Sequence, residues 1–251
     1  RGNPTVEAEV YSKNLSASAI CPSGASTGTY EAFEKKDKNN KRYLGKSVLS
    51  AVNLVNTKIS KKLSGTNIHD QARIDTTLIN LDGTRQKTNL GANAILAVSM
   101  AAKKLSAKTK NVSLYKTFLV QNNYMLPYPL MNIINGGAHA NNGLRIQEFM
   151  IRPDKAKSFT EAMRICFVVI NNLRNLIKKK GLSTSVGDEG GFAPMISNNE
   201  KALDLVVAAI NKSGFKNGKD VSICLDVAAN ELFKKNKYSI HSKRFTSVDL
   251  S

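Results

Sequence analysis

Apolar and polar residues alternate at the start of the chain. Over residues 5–11, Val6, Ala8 and Val10 fall on one side and Glu7 and Glu9 on the other, which is the period of a half-buried strand. Lys13-Asn14 supplies a turn, and residues 16–21 return with Ala17 and Ala19 facing alike, so the pattern predicts a hairpin. Residues 22–29 carry small side chains and two glycines without periodicity, which predicts a mobile loop. The period then lengthens. Val48, Val52, Val55 and Ile59 recur at helical spacing, with Gly65 as a stop. Residues 70–78 predict a shorter helix, and residues 92–105 are apolar around most of a helical circumference, as a central buried helix would be. A hairpin followed by helices indicates an α+β first domain. Pro127 and Pro129 interrupt the pattern and place the boundary there, giving domains 1–127 and 128–251.

Beyond the boundary the rhythm changes. Apolar strands are expected at residues 130–134 and 146–151. A helix follows over 158–179, opened by the capping box Ser158…Glu161. A second box, Ser197…Glu200, opens residues 201–212, and Gly214 closes them. In the next strand, 221–226, Val221, Ile223 and Leu225 share one face and Ser222, Cys224 and Asp226 the other. Strand–helix alternation predicts a parallel α/β sheet or barrel. If the aliphatics pack on helices, Asp226 points into that barrel at its C-terminal end. A complete (β/α)₈ barrel takes about 250 residues, and the second part of this chain holds roughly half of that, so the barrel is expected to be incomplete. With no Met at its first position, the chain reads as a fragment cut at both ends. An unclosed barrel exposes a strand edge and an apolar face, so poor solubility is expected.

The candidate chemistry centres on residues 129–150. An Asn135-Gly136-Gly137 turn is followed by His139, and Gln147-Glu148 ends a short apolar run. Paired glycines let the backbone approach a ligand closely, and polar groups at a strand end sit where barrels keep their chemistry. Taken alone, these residues read equally as a tight turn with a surface Glu. Adjacent strand residues point to opposite faces, so Gln147 and Glu148 can serve one site only if the strand ends there. Glu189 lies in Gly187-Asp188-Glu189-Gly190-Gly191. Its glycines permit a sharp turn, and neighbouring carboxylates in a closed site raise one another's pKa, as a general acid needs. An acidic surface turn is the alternative. Asp226, ending a strand, reads on its own as a helix N-cap.

Composition changes the picture little. An apolar share of 41% supports a real core. No run of about 18 apolar residues predicts a membrane span, and the first residues lack a targeting pattern. Cys21, Cys166 and Cys224 are odd in number, widely spaced and in apolar surroundings, so buried reduced thiols fit better than a disulfide or zinc framework. The net charge of +18 raises the question of nucleic acid or anionic surfaces. The excess is lysine spread along helices and loops, as in Lys35-Lys36, Lys61-Lys62, Lys103-Lys104 and Lys178-Lys179-Lys180. Arginine and aromatics do not interleave with it as a stacking groove requires, so solvated helix faces account for it.

Five segments together carry more than any one of them. They are RGNPTVE at the start, Ser23-Gly24-Ala25-Ser26-Thr27-Gly28, LGANAIL from Leu90 to Leu96, VGDEGGF from Val186 to Phe192, and Leu225-Asp226. In this order and spacing, along its whole length, the chain resembles the enolase family, and its GGAHA is similar to the bacterial form. The resemblance implies an α+β N-terminal cap domain followed by an incomplete α/β, TIM-like barrel. It implies a lyase of glycolysis and gluconeogenesis that reversibly dehydrates 2-phosphoglycerate to phosphoenolpyruvate with Mg²⁺.

By the same resemblance Glu189 is the proton donor to the departing C3 hydroxyl and Glu148 the second active-site glutamate. Gln147 is the substrate-binding amide, and His139 sits on a loop that closes over substrate. Asp226 would be the first of three carboxylates on the tighter Mg²⁺, and Ser26 would ligate a second Mg²⁺ and meet substrate as its loop closes. Two metal ions suit the doubly charged enediolate such a reaction forms. The family's base lysine and two further metal carboxylates come later than residue 251, so this stretch alone is expected to be inactive.

A phosphorylated small-molecule substrate, a dimer or octamer at full length, no specific nucleic acid and no membrane span follow from the resemblance. So does a cytoplasmic location, with some bacterial relatives also found at the cell surface or secreted. Arg145, Asn230 and Ala97 depart from the family's usual residues. Two rivals remain open: another superfamily member acting on unphosphorylated acids, against which GDEGG and SGAST count, and a basic adhesion or nucleic-acid-binding protein.

Overall fold

The alternating segment forms its hairpin in the computed structural model, which describes residues 2–24, 27–38, 41–118, 124–240 and 243–250. The chain divides into two units, Arg1–Asn123 and Tyr124–Ser251. In the first, β1 (Val6–Ser12) pairs antiparallel with β2 (Leu15–Cys21), from Val6↔Cys21 to Ser12↔Leu15. Val6 and Ala8 are buried on one face while Glu7 and Glu9 are exposed, as period-two patterning requires.

Helices follow the hairpin in this unit. α1 (Leu49–Leu54) widens into a π-type turn over Val55–Ile59 and continues as α2 (Ser60–Leu63). Asp37, far off in sequence, accepts the orphan N–H groups of Leu49 and Ser50 at 2.9 Å each and so caps α1. α3 (Gln71–Asp82) is longer than the spacing predicts; its start is capped by Asp70, which accepts from Arg73 N, and Gly83 ends it at φ 71°. α4 (Ala92–Thr109) lies against both strands and is the most buried helix of the unit. Val6, Ala8, Ile59, Leu78, Leu90, Ala94 and Val98 pack together as its core.

The second unit corrects the parallel expectation. β3 (Met131–Asn135), β4 (Glu148–Arg152) and β5 (Ser222–Asp226) form a sheet in the order β3-β4-β5, and both pairings are antiparallel. The reasons are topological. Residues 136–147 hold no helix that could carry the chain back along the sheet, and a parallel crossover usually needs one. Between β4 and β5 there are two long helices, α5 (Phe159–Lys179) and α6 (Asn199–Lys212). Two helices reverse the chain twice, so the next strand returns antiparallel. Three strands on two helices make a partly built barrel wall, with no closed barrel.

α5 starts as predicted, with Ser158 accepting from Glu161 N. α6 does not: its cap is Asn198, which accepts from Lys201 N, one residue later than the Ser197 box implied. Asn199 is thereby freed, and its Oδ1 accepts from the backbone N–H of Arg145 and of Ile146. The core gathers Ile133, Ile134, Phe149 and Ile151 from the strands against Ile165, Val169, Leu173, Val206 and Ile210 from the helices. Val221 and Ile223 join it, whereas Leu225 is 41% exposed.

Beyond β5, a short helix α7 (Ala229–Leu232) leads into a small antiparallel sheet of β6 (Phe233–Lys234), β7 (Lys237–Ile240) and β8 (Lys243–Phe245), then α8 (Ser247–Leu250). All three cysteines are free thiols; Cys166 is buried, but Cys21 and Cys224 are only half-buried, contrary to the expectation of three buried thiols. Among the described residues no helix is long and apolar enough to cross a membrane.

Candidate acid–base site at the strand ends

Antiparallel pairing sets the geometry of the site. The last residues of β3 and β5 meet the first residue of β4 at one rim, with Asn135↔Glu148 and Glu148↔Asp226 as direct partners. Main-chain bonds extend the ladder one step beyond the strand: Gly136 N donates to Gln147 O at 2.9 Å and Gln147 N to Asp226 O at 3.2 Å. Gln147 therefore stands just outside β4, as its sharing a site with Glu148 required.

The glycines of the Asn-Gly-Gly turn are needed for space. A Cβ at Gly136 would collide with Ile146 O and Leu144 Cβ, and Gly137 takes φ 52°. The turn ends in a short 3₁₀ segment, Gly137–His139, which buries His139 to 5% exposure. The second glycine-rich turn, residues 187–191, closes on itself through Gly187 N to Gly191 O at 2.8 Å. It is joined to the first by Asp188 N donating to His139 O at 3.2 Å. Phe192 anchors it to β3, with Asn135 N donating to Phe192 O and Phe192 N to Ile133 O, both at 2.9 Å.

These two turns bring His139, Glu148 and Glu189 together. His139 Nδ1 lies 3.4 Å from Glu189 Oε2 and 3.8 Å from Glu148 Oε1. Those distances are in ion-pair range but lack hydrogen-bond geometry, and both ring nitrogens are buried without a partner. One potential ligand atom from each of the three residues falls within 4.8 Å of the others. Burial pushes the Glu148 carboxyl up to about 7. The hydrogen-bonded Glu189 carboxyl and the charges of Glu189 and Asp226 add to this, and the Gln147 amide opposes it. The Glu148 carboxyl therefore keeps its proton much closer to neutrality than an ordinary glutamate does.

Asp226 stands beside this group but is exposed, and its Oδ1 accepts from Ala228 N at 2.9 Å. Ser26 lies outside the described residues. The Arg145 and Asn230 side chains are exposed. Sequence reasoning missed Asn132, whose Nδ2 lies 3.5 Å from Glu189 Oε2. The available signal was a polar residue in an otherwise apolar run, Leu130–Ile134.

An α+β domain ahead of a barrel wall, with carboxyls, an imidazole and an amide at the strand ends, defines a cap-and-barrel protein. The family description "Enolase, N-terminal domain" matches residues 1–118, and "Enolase, C-terminal TIM barrel domain" matches residues 123–249. The chain is 90% identical over 251 residues to the protein named Enolase from Pelagibacter ubique (strain HTCC1062), a match that covers 100% of this chain and 60% of that protein. The chain belongs to the enolase family, and it spans about 60% of the length of this curated relative.

Proposed function

We propose that the full-length protein is a 2-phosphoglycerate hydro-lyase, forming phosphoenolpyruvate reversibly in glycolysis and gluconeogenesis. The observation that carries the reading is the cluster of buried His139, half-buried Glu148 and exposed Glu189, in which the Glu148 carboxyl is raised to about 7, in an enolase-family chain. In this reading Glu189, on its glycine turn, gives a proton to the departing hydroxyl. Glu148 keeps that proton available through their shared hydrogen bond. Gln147, fixed through its backbone on both sides, presents its amide to the substrate, and His139 supplies an imidazole against the phosphorylated acid.

Residues for a divalent metal are in part here. Burial is the main cause that pushes Glu148 up, but the charges of Glu189 and Asp226 add to it, and a hard cation held by oxygen donors relieves that kind of charge. Asp226 would hold it at the rim. Mg²⁺, when bound, would stabilise the charge that develops on the substrate carboxylate. The His139, Glu148 and Glu189 group, with its ring nitrogen, suits Mg²⁺ less well and reads as proton-handling machinery.

The same reading makes the protein a cytoplasmic dimer or octamer. The test is turnover of 2-phosphoglycerate by the full-length protein, followed by absorbance of the enol phosphate. Turnover lost on chelation and restored by Mg²⁺ supports the proposal. Absence of turnover, or turnover confined to unphosphorylated sugar acids, overturns it.

A further inference from the structure

β3 contains an irregularity with chemical consequences. Its pairing with β4 runs Met131↔Ile151, Asn132↔Met150, then skips to Ile134↔Phe149 and Asn135↔Glu148, so one extra residue is inserted between Asn132 and Ile134. On a regular strand, residues three apart face opposite sides. The bulge removes that constraint. Ile133 and Ile134 are both fully buried in the core, while Asn132 and Asn135 both turn toward the acidic glycine turn. A Cβ at Gly191 would collide with Asn135 Oδ1 and lie 3.1 Å from Asn132 Oδ1, and one at Gly187 would lie 2.8 Å from Asn135 Cβ. Gly191 thus leaves room for both amides, and Gly187 for the Asn135 side chain and the His139 carbonyl.

Apart from Asn132 Nδ2, which donates to Glu189 Oε2, the polar atoms of these two amides lack a partner. Among the described residues, the buried side-chain atoms without a partner are Gln71 Oε1, far away in the first unit, and six atoms at this rim: Asn132 Oδ1, both polar atoms of Asn135, both His139 nitrogens and Gln147 Oε1. Buried polar atoms are ordinarily paired, and leaving one unpaired is costly. Their concentration at one rim marks a surface built to be completed by a ligand.

We propose that Asn132 and Asn135 are positioning residues for Glu189: Asn135 supports the turn that carries it, and Asn132 Nδ2 orients its carboxyl for proton delivery. The inference rests on the reading of Glu189 as the proton donor. It separates two stages of the reaction. Orienting the donor matters when the hydroxyl leaves and does not matter when the carbon-bound proton is removed.

The experiment uses the full-length protein with Mg²⁺, comparing wild type with Asn132→Ala and the near-isosteric Asn132→Asp, which removes the donor and sets a like charge against Glu189. Dehydration is measured by kcat and KM, and removal of the carbon-bound proton by exchange of the substrate C2 hydrogen with deuterated solvent. A general acid contributes about 10²–10⁴-fold, so losing its orientation is expected to lower kcat by about tenfold or more. KM should stay within about twofold and C2 exchange should be unchanged. Asn132→Asp should fall further than Asn132→Ala. Unchanged kcat in both variants, or dehydration and exchange falling together, overturns the inference while wild type remains active. A wild type with no turnover of 2-phosphoglycerate overturns the parent reading and takes this one with it.

Discussion

Replacing Glu148 with glutamine should make the protein more stable at alkaline pH, and the size of the effect follows from the site. The folded state holds the Glu148 carboxyl at about 7, against 4.5 for the ordinary group, chiefly because it is buried beside Glu189. Each pKa unit corresponds to about 1.4 kcal/mol, so keeping this group ionised in the fold costs up to roughly 3–4 kcal/mol. The folded chain binds the proton more tightly than the unfolded chain does. Its contribution is therefore most favourable below about pH 4.5, declines as pH rises toward 7, and is fully lost above it. Glu148→Gln has nearly the same shape without a charge to bury. Metal-free variant protein should exceed wild type by about 1–3 kcal/mol at pH 8, several degrees in melting temperature at about 2–4 °C per kcal/mol, with little difference at pH 4.5. Urea titrations at both pH values would measure this. A variant less stable than wild type at pH 8, or a difference independent of pH, would refute the account of why the carboxyl is raised. Added Mg²⁺ should narrow the gap, because a cation at the rim favours the ionised wild-type side chain.

Two further outcomes concern the frame around the site. Asp37, held down to about 2 mainly by its hydrogen bond to the Ser50 hydroxyl and by backbone N–H donors, caps α1 from a distance. Its support is present above about pH 4 and lost as pH falls toward 2. Asp37→Ala should cost about 1 kcal/mol at neutral pH in a thermal melt, and a smaller loss in Asp37→Asn would separate the acceptor from the charge. Burial pushes the Cys166 thiol up to about 11. A thiol reagent at pH 8 should leave Cys166 unmodified in native protein and label it only after unfolding, whereas rapid native labelling would contradict the packing.

Where local pattern dominates, the sequence was readable. The hairpin, the buried α4 and the Ser158 cap each depend on neighbours within a few residues, and each formed as expected. The direction of β5 was misread because strand–helix alternation says nothing about how many helices lie in a link, and two in succession invert the outcome. The cap of α6 falls one residue later than expected because Ser197 and Asn198 are both good caps and the residue pattern does not choose between them; with Asn198 as cap, Asn199 binds the backbone of Arg145 and Ile146. Grouping of His139, Glu148 and Glu189 was anticipated through family resemblance, since spacing along the chain could not place residue 189 beside residue 139. Asn132 and Asn135 went unassigned because a bulge, invisible in the residue pattern, decides which way they face.

The link from Asp188 N to His139 O has a mechanical consequence. Both glycine-rich turns are stitched to each other and, through Gly136 and Phe192, to the sheet beneath, while the Gln147 backbone is held from two directions. Displacing either turn strains the other, so the two turns are expected to shift together and not independently.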